Sequence, residues 1–205
     1  MTAHFFPFRP IVLAWLLLAA GCAGRAPLPT TASEAQWQQH RARVAALVAW
    51  QARGRVGMRA GDEGWSASFD WRQQDDRFRI RLSGPFGRGV LQLAGDGNLV
   101  VLEQADGPRR AARSAEQLLE DETGWQLPVS GLRYWLLGLP QPQREERHRL
   151  DPQGRLAELE QDGWQIEFRR YQAVDGLDLP AKLALRNRTL DVKLVIQQWV
   201  PGGNS

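Results

Sequence analysis

The chain is 205 residues long with a formal net charge of +3, 43% of its residues hydrophobic and 9% aromatic. That length fits one ordinary domain plus targeting material, and the composition excludes a disordered, collagen-like or coiled-coil protein. The small cationic surplus is spread along the chain rather than clustered, which argues against a nucleic-acid stripe, and the single cysteine excludes a disulfide framework.

The first segment, Met1 to Gly21, has a basic residue at Arg9, an apolar run from Ile11 to Ala20 and small residues before Cys22. This reads as a secretory signal peptide. A run of about ten residues is too short to span a hydrocarbon core, which needs about 20 in a helix. Cys22 directly follows Ala19-Ala20-Gly21, with Leu18 one place upstream of the usual leucine position, and this resembles a bacterial lipobox. Lipid on the sulfur and on the new N-terminus would explain the lone cysteine of a secreted chain, and several acyl chains anchor stably where one does not. In the sorting rule that the lipobox implies, Ala23 in place of aspartate directs the protein to the outer membrane.

Residues 22–32 form a lipidated tether containing Pro27 and Pro29, and the folded domain is expected over residues 33–205. Ser33-Glu34-Ala35-Gln36 has the form of a capping box, and Trp37, Val44, Leu47 and Val48 recur at helical spacing to about Ala49. From Trp50 the period becomes two: Ala52, Gly54, Val56 and Met58 alternate with Arg53, Arg55 and Arg59. After a turn at Gly61 to Gly64, Trp65, Ala67, Phe69 and Trp71 alternate with Ser66, Ser68, Asp70 and Arg72. Phe78, Ile80 and Leu82 continue the pattern against Arg77, Arg79 and Arg81, which we assign to a solvated strand face. Short strands around Leu91–Leu93 and Leu99–Leu102 follow.

The middle interrupts this meander. Ser114 to Gln117 offers a second capping box with Gly124 as a helix stop, and a third helix is expected over Val129 to Leu137. The segment holding Glu145, Glu146 and His148 reads as a charged connector. Strands resume around Leu156–Leu159, Trp164–Tyr171, Pro180–Arg186 and Leu190–Val200. The pattern predicts a mainly β protein of about nine to eleven antiparallel strands with three short helices, too little helix to cover so long a sheet. Eight of the nine tryptophans follow the signal segment, and Trp65, Trp71, Trp164 and Trp199 fall on strands, where they either fill a core or line an apolar pocket.

Catalytic chemistry is hard to assemble. The two histidines that follow the signal segment, His40 and His148, and no second cysteine offer no metal set at usual spacing. Gly64-Trp65-Ser66-Ala67-Ser68 lacks the final glycine of a nucleophile elbow and sits in a hairpin, which disfavours a lipid-active hydrolase. Asp75-Asp76 and Glu145-Glu146 suit solvated turns. Gly84-Pro85-Phe86-Gly87-Arg88-Gly89 lacks the lysine-serine/threonine ending of a phosphate-binding loop. That loop instead sets a bulky Phe86 between Pro85 and Gly87, where it either folds back on the core or projects as an apolar finger.

Several motifs together resemble the LolB family of outer-membrane lipoprotein receptors. They are Gln36-Trp37-Gln38-Gln39-His40, Trp50-Gln51-Ala52-Arg53-Gly54, Phe69-Asp70-Trp71, Leu82-Ser83-Gly84-Pro85-Phe86-Gly87, the run from Leu132 to Pro140, Gly163-Trp164, Leu179-Pro180, and Val192-Lys193-Leu194 to Trp199. The resemblance implies an incomplete, half-open antiparallel β-barrel of about eleven strands, closed by three short helices around an apolar cavity. It implies no enzyme activity, and no cofactor beyond N-acyl and S-diacylglycerol groups on Cys22. It further implies a receptor, lipid-anchored on the periplasmic face of the outer membrane, that accepts acylated lipoproteins from the periplasmic carrier LolA and inserts them into that membrane. A monomer is expected, as is no contact with nucleic acid. A periplasmic carrier of the same fold is the alternative, and the lipobox argues against it.

By the resemblance, Pro85, Phe86 and Gly87 form the membrane-insertion loop, with Phe86 where the family more usually has leucine. Trp50, Trp65, Phe69, Trp71, Trp135, Leu136, Trp164 and Trp199 are the expected lining of the lipid cavity.

Overall fold

The computed structural model describes residues 31–85, 89–105 and 107–202, with side chains from Ser33 onward. The signal segment, Cys22, most of the tether, and Phe86 and Gly87 of the insertion loop lie outside the described residues.

Eleven strands and three helices make up the described chain. Helix α1 (Thr31–Ala45) is followed by β1 (Ala49–Ala60), β2 (Glu63–Gln74), β3 (Arg77–Ser83), β4 (Leu91–Gly95), β5 (Val100–Gln104) and β6 (Arg110–Ala112). Helices α2 (Ala115–Thr123) and α3 (Val129–Trp135) come next, then β7 (Glu146–Leu150), β8 (Leu156–Gln161), β9 (Trp164–Val174), β10 (Leu177–Arg186) and β11 (Asp191–Pro201). They form one antiparallel sheet in the order β6-β5-β4-β3-β2-β1-β11-β10-β9-β8-β7. The sheet is two meanders joined where β1 pairs with β11, and it does not close: β6 and β7 are its free edges. The expected fold class holds.

The period-two reading translates directly into burial. In β1, Trp50, Ala52, Val56 and Met58 face inward while Arg53, Arg55 and Arg59 are exposed, and Arg77, Arg79 and Arg81 of β3 are exposed as expected. The first helix begins at Thr31 rather than Ser33 and stops at Ala45, before the predicted Ala49. Ala49 already pairs with Gln74, so strand hydrogen bonding takes the residues that the apolar spacing would have given to the helix. The second capping box is found as predicted: the Ser114 Oγ accepts from the Gln117 N–H, and Gly124 terminates α2 in the left-handed conformation at φ 72°. The expected charged connector around His148 is instead strand β7. Paired with β8 alone, β7 is a short edge whose Glu146, Arg147 and Arg149 oppose further strand addition.

Helix α1 covers the β7–β10 end of the sheet, with Trp37 and Val44 fully buried and His40 nearly so. The Trp37 and His148 rings lie 5.9 Å apart, and His40 meets Tyr171 edge-on at 6.5 Å. Gly154, at φ 72°, lets the β7–β8 turn pass directly under α1, where a side chain would meet the Ser33 carbonyl oxygen.

Burial is the main cause that holds the His40 imidazole below its ordinary value of 6.5, opposed by Asp178 and Asp151 and reinforced by Arg43 and Arg155. The unfolded chain therefore binds this proton first. Stability contributed by neutral His40 is complete above pH 6.5 and is lost as the pH falls through 6.5 toward the lower folded value. Melting between about pH 8 and about pH 5 should show a steeper loss in the parent protein than in His40→Phe; equal slopes would refute the assignment.

Candidate functional site

On the other half of the sheet, between its inner face and α2–α3, lies a cavity of about 380 Å³. Such a volume is within the roughly 300 to 1,000 Å³ of small-molecule sites. The strands supply Val56 and Met58 from β1, Trp65, Phe69 and Trp71 from β2, Ile80 and Leu82 from β3, Leu91 and Leu93 from β4, and Leu194 from β11. The opposite wall comes from Leu119 and Thr123 of α2, Trp125 and Leu127 of the linker, Val129 and Leu132 of α3, and Leu136 just beyond it.

Alternation explains the strand wall, because residues two apart share a face of the sheet. The helical wall follows from the α2–α3 connection. The Glu116 carboxylate accepts the Ser130 N–H, which ties the two helices together. Glu122 is bound by Arg110 of β6 and by the Gln104 amide of β5, which clasps α2 to the sheet edge. Behind α3, Gln161 of β8 accepts from the Trp135 indole N–H and the Gln141 N–H, both at 2.8 Å, and donates back to the Gln141 carbonyl at 3.0 Å.

The two polar side chains on the wall are already engaged. Gln104 donates to Glu122, while the Thr123 hydroxyl donates to the Leu119 carbonyl and accepts from the Trp125 N–H. A ligand would therefore meet a predominantly hydrocarbon surface, with the indole rings of Trp65 and Trp125 at its half-exposed rim. The deep wall is buried, but Trp65, Leu82, Val90, Leu91, Leu119, Trp125 and Leu127 are half-exposed, with the Trp65 and Trp125 rings 5.4 Å apart. That apolar rim makes a mouth. Val90, directly after the loop that carries Phe86, lines the cavity, so the loop springs from beside it.

Of the residues expected to line a lipid cavity, Trp65, Phe69, Trp71 and Leu136 do. Trp50, Trp135, Trp164 and Trp199 do not reach this wall. Trp50 stands behind Trp71, 5.7 Å from it and 5.4 Å from Trp199, whose indole N–H donates to the Pro180 carbonyl. Trp135 packs on Trp164 at 6.3 Å. Trp50, Trp164 and Trp199 share the inner side of the sheet with the cavity wall, and their place along each strand, which periodicity cannot give, sets them away from the cavity, while Trp135 ends α3 on the side turned to Trp164. Sequence reasoning missed Trp125 and Leu127. Their signal was two apolar residues alternating within a Pro-containing linker that turn chemistry alone would expose. Ser66 lies exposed on the outer side of β2, and the described histidines pack around Trp37, which brings no base to it. No cluster of metal-ligating residues occurs among the described residues.

A sequence profile of the family described as "Outer membrane lipoprotein LolB" matches residues 48–199. The chain is 44% identical over 194 residues to outer-membrane lipoprotein LolB of Pseudomonas syringae pv. syringae, covering 93% of this chain and 95% of that protein. It is 45% identical over 188 residues to the protein of the same name from Stutzerimonas stutzeri, covering 90% and 91%. A crystal structure of a LolA superfamily protein from Nitrosomonas europaea shares the fold, with a TM-score of 0.57 at 7% identity over 87% of this chain and 96% of its own. The extent of these matches, along a half-open sheet with an apolar cavity, establishes that this chain belongs to the LolB family of outer-membrane lipoproteins, which is not a family of enzymes.

Proposed function

We propose that the protein is held at the outer membrane by acyl groups on Cys22, accepts acylated lipoproteins from the periplasmic carrier LolA into the cavity, and inserts them into the membrane through the Pro85–Phe86–Gly87 loop. The observation that carries this reading is the cavity: apolar on strand and helix walls alike, with its two polar side chains already hydrogen-bonded. Acyl chains that pass from one such cavity to another never expose their full surface to water, and rising affinity toward the bilayer gives direction without nucleotide.

Two substitutions should separate the steps. Leu119→Arg places a guanidinium on the half-exposed α2 wall, where it can still reach water, and should lower acceptance from the loaded carrier about tenfold or more, since an apolar side-chain contact is worth roughly 1.5 to 3 kcal/mol. Phe86→Glu should leave acceptance intact and lower delivery into vesicles by a similar factor, because a carboxylate opposes entry into hydrocarbon. Phe86→Leu should deliver normally. A radiolabelled lipoprotein followed from carrier to receptor to vesicle measures both steps, and normal acceptance by a folded Leu119→Arg protein would refute the cavity.

A further inference from the structure

The outer side of the sheet carries its charge unevenly. On the half formed by β7–β10, cations meet carboxylates: Arg149 bonds Glu158 across the β7–β8 ladder, and Arg169 bonds Glu167 on β9. On the half formed by β1–β3, seven exposed arginines stand in adjacent ladders: Arg53, Arg55 and Arg59 on β1, Arg72 on β2, and Arg77, Arg79 and Arg81 on β3. Asp70 lies among them, 2.9 Å from Arg53 and 3.8 Å from Arg72, and Asp191 of β11 stands opposite Arg59 at the far end of β1. Arg77 feels Asp96 of the β4–β5 turn, whereas Arg55, Arg79 and Arg81 make no ion pair among the described residues. Arg72 and Arg79 are direct cross-strand partners, an arrangement that opposes folding because like charges face each other. In the same row Arg79 is followed by half-buried Ala94 and Val101, which places guanidinium groups beside a small apolar strip.

We infer that this arginine face is a docking surface for the phosphate headgroups of an anionic bilayer. The inference rests on the membrane-inserting reading above and adds to it. Strand β3 ends at Ser83, so the same strand presents Arg79 and Arg81 outward and leads in sequence to the Pro85–Phe86–Gly87 segment proposed above to enter lipid. A surface of phosphates relieves the repulsion of the Arg72–Arg79 pair and brings the end of β3 to the lipid.

The test uses the full mature chain carrying Cys22→Ala, so that no acyl anchor contributes, co-sedimented with vesicles of phosphatidylcholine with or without phosphatidylglycerol. Binding should require phosphatidylglycerol and weaken with added salt. Arg72→Gln/Arg79→Gln should lower it roughly thirty-fold, the factor that corresponds to about 1 kcal/mol per arginine near an anionic surface. The same variant should melt no lower than the parent, since it removes a like-charge contact, and Arg149→Gln/Arg169→Gln should bind as the parent does. Equal binding to both vesicle types, or a lower melting temperature for Arg72→Gln/Arg79→Gln, would overturn the inference. Unchanged vesicle binding with impaired acceptance from the carrier would overturn it in favour of an acidic protein partner. Acceptance measured on the same variants keeps the cavity reading separate: its loss in the parent chain refutes the receptor, whereas loss of the phosphatidylglycerol requirement alone refutes the arginine face.

Discussion

Gly54→Ala is expected to be among the most damaging single-methyl changes in this protein. Gly54 lies where the β1–β11 register shifts, with Arg53 opposite Gln198 and Gly54 opposite Ile196. A Cβ there would overlap the Val195 carbonyl oxygen and stand 3.0 Å from both the Ile196 Cα and the Phe69 ring. Two of the three obstacles are backbone, so no rotamer change relieves them. The strands must part, and β1–β11 is the seam joining the two meanders. Overpacking of a tight interior costs about 1 to 3 kcal/mol and occasionally more. We expect the upper end, because the ladder itself is opened and Phe69, on the cavity wall, is displaced with it. Thermal melting of Gly54→Ala beside Gly57→Ala checks this, since Gly57 on the same strand has open space where its Cβ would go. Equal melting of the two variants would contradict the seam argument.

Trp135→Ala is expected to cost about 3 to 5 kcal/mol, the range for deleting a large aromatic from a core. Trp135 is fully buried, packs on Trp164 and on Gly131 of its own helix, and donates to the Gln161 carboxamide. Its removal leaves a void and takes one of the two donors from the Gln161 oxygen. For a domain of this size the loss corresponds to roughly 10 °C in Tm. Trp135→Phe should fall between, since it keeps most of the packing and loses the N–H. Because α3 forms part of the cavity wall, acceptance of lipoprotein should decline in step with stability; a Trp135→Ala protein that melts like the parent would show that the Gln161 contacts are not what fixes α3.

The local elements were legible in the residues because their causes are local. Strict alternation set the inward and outward faces of β1, β2 and β3, and Ser114 with Gly124 marked both ends of α2 through the hydrogen bonds that their side chain and backbone make within a few residues. The motif series pointed to the family, and its matches over most of the chain bear that out. Elsewhere the neighbours decided. His148 looked like part of a connector because a charged edge strand carries no inward alternation of its own, and pairing with β8 is what makes it a strand. The lining of the cavity was only half legible for the same reason. Periodicity states which side of the sheet a residue faces, and by that measure Trp50, Trp71, Trp164 and Trp199 are alike. Whether an inward ring meets another ring or an empty volume depends on where α1, α2 and α3 come down, and the clasps at Glu122 and Gln161 that fix α2 and α3 join residues from 12 to 26 positions apart. The sequence by itself determined the strands, their faces and the family; the tertiary structure alone decided which half of the sheet is solid and which is hollow, because packing at that distance leaves no periodic trace in the chain.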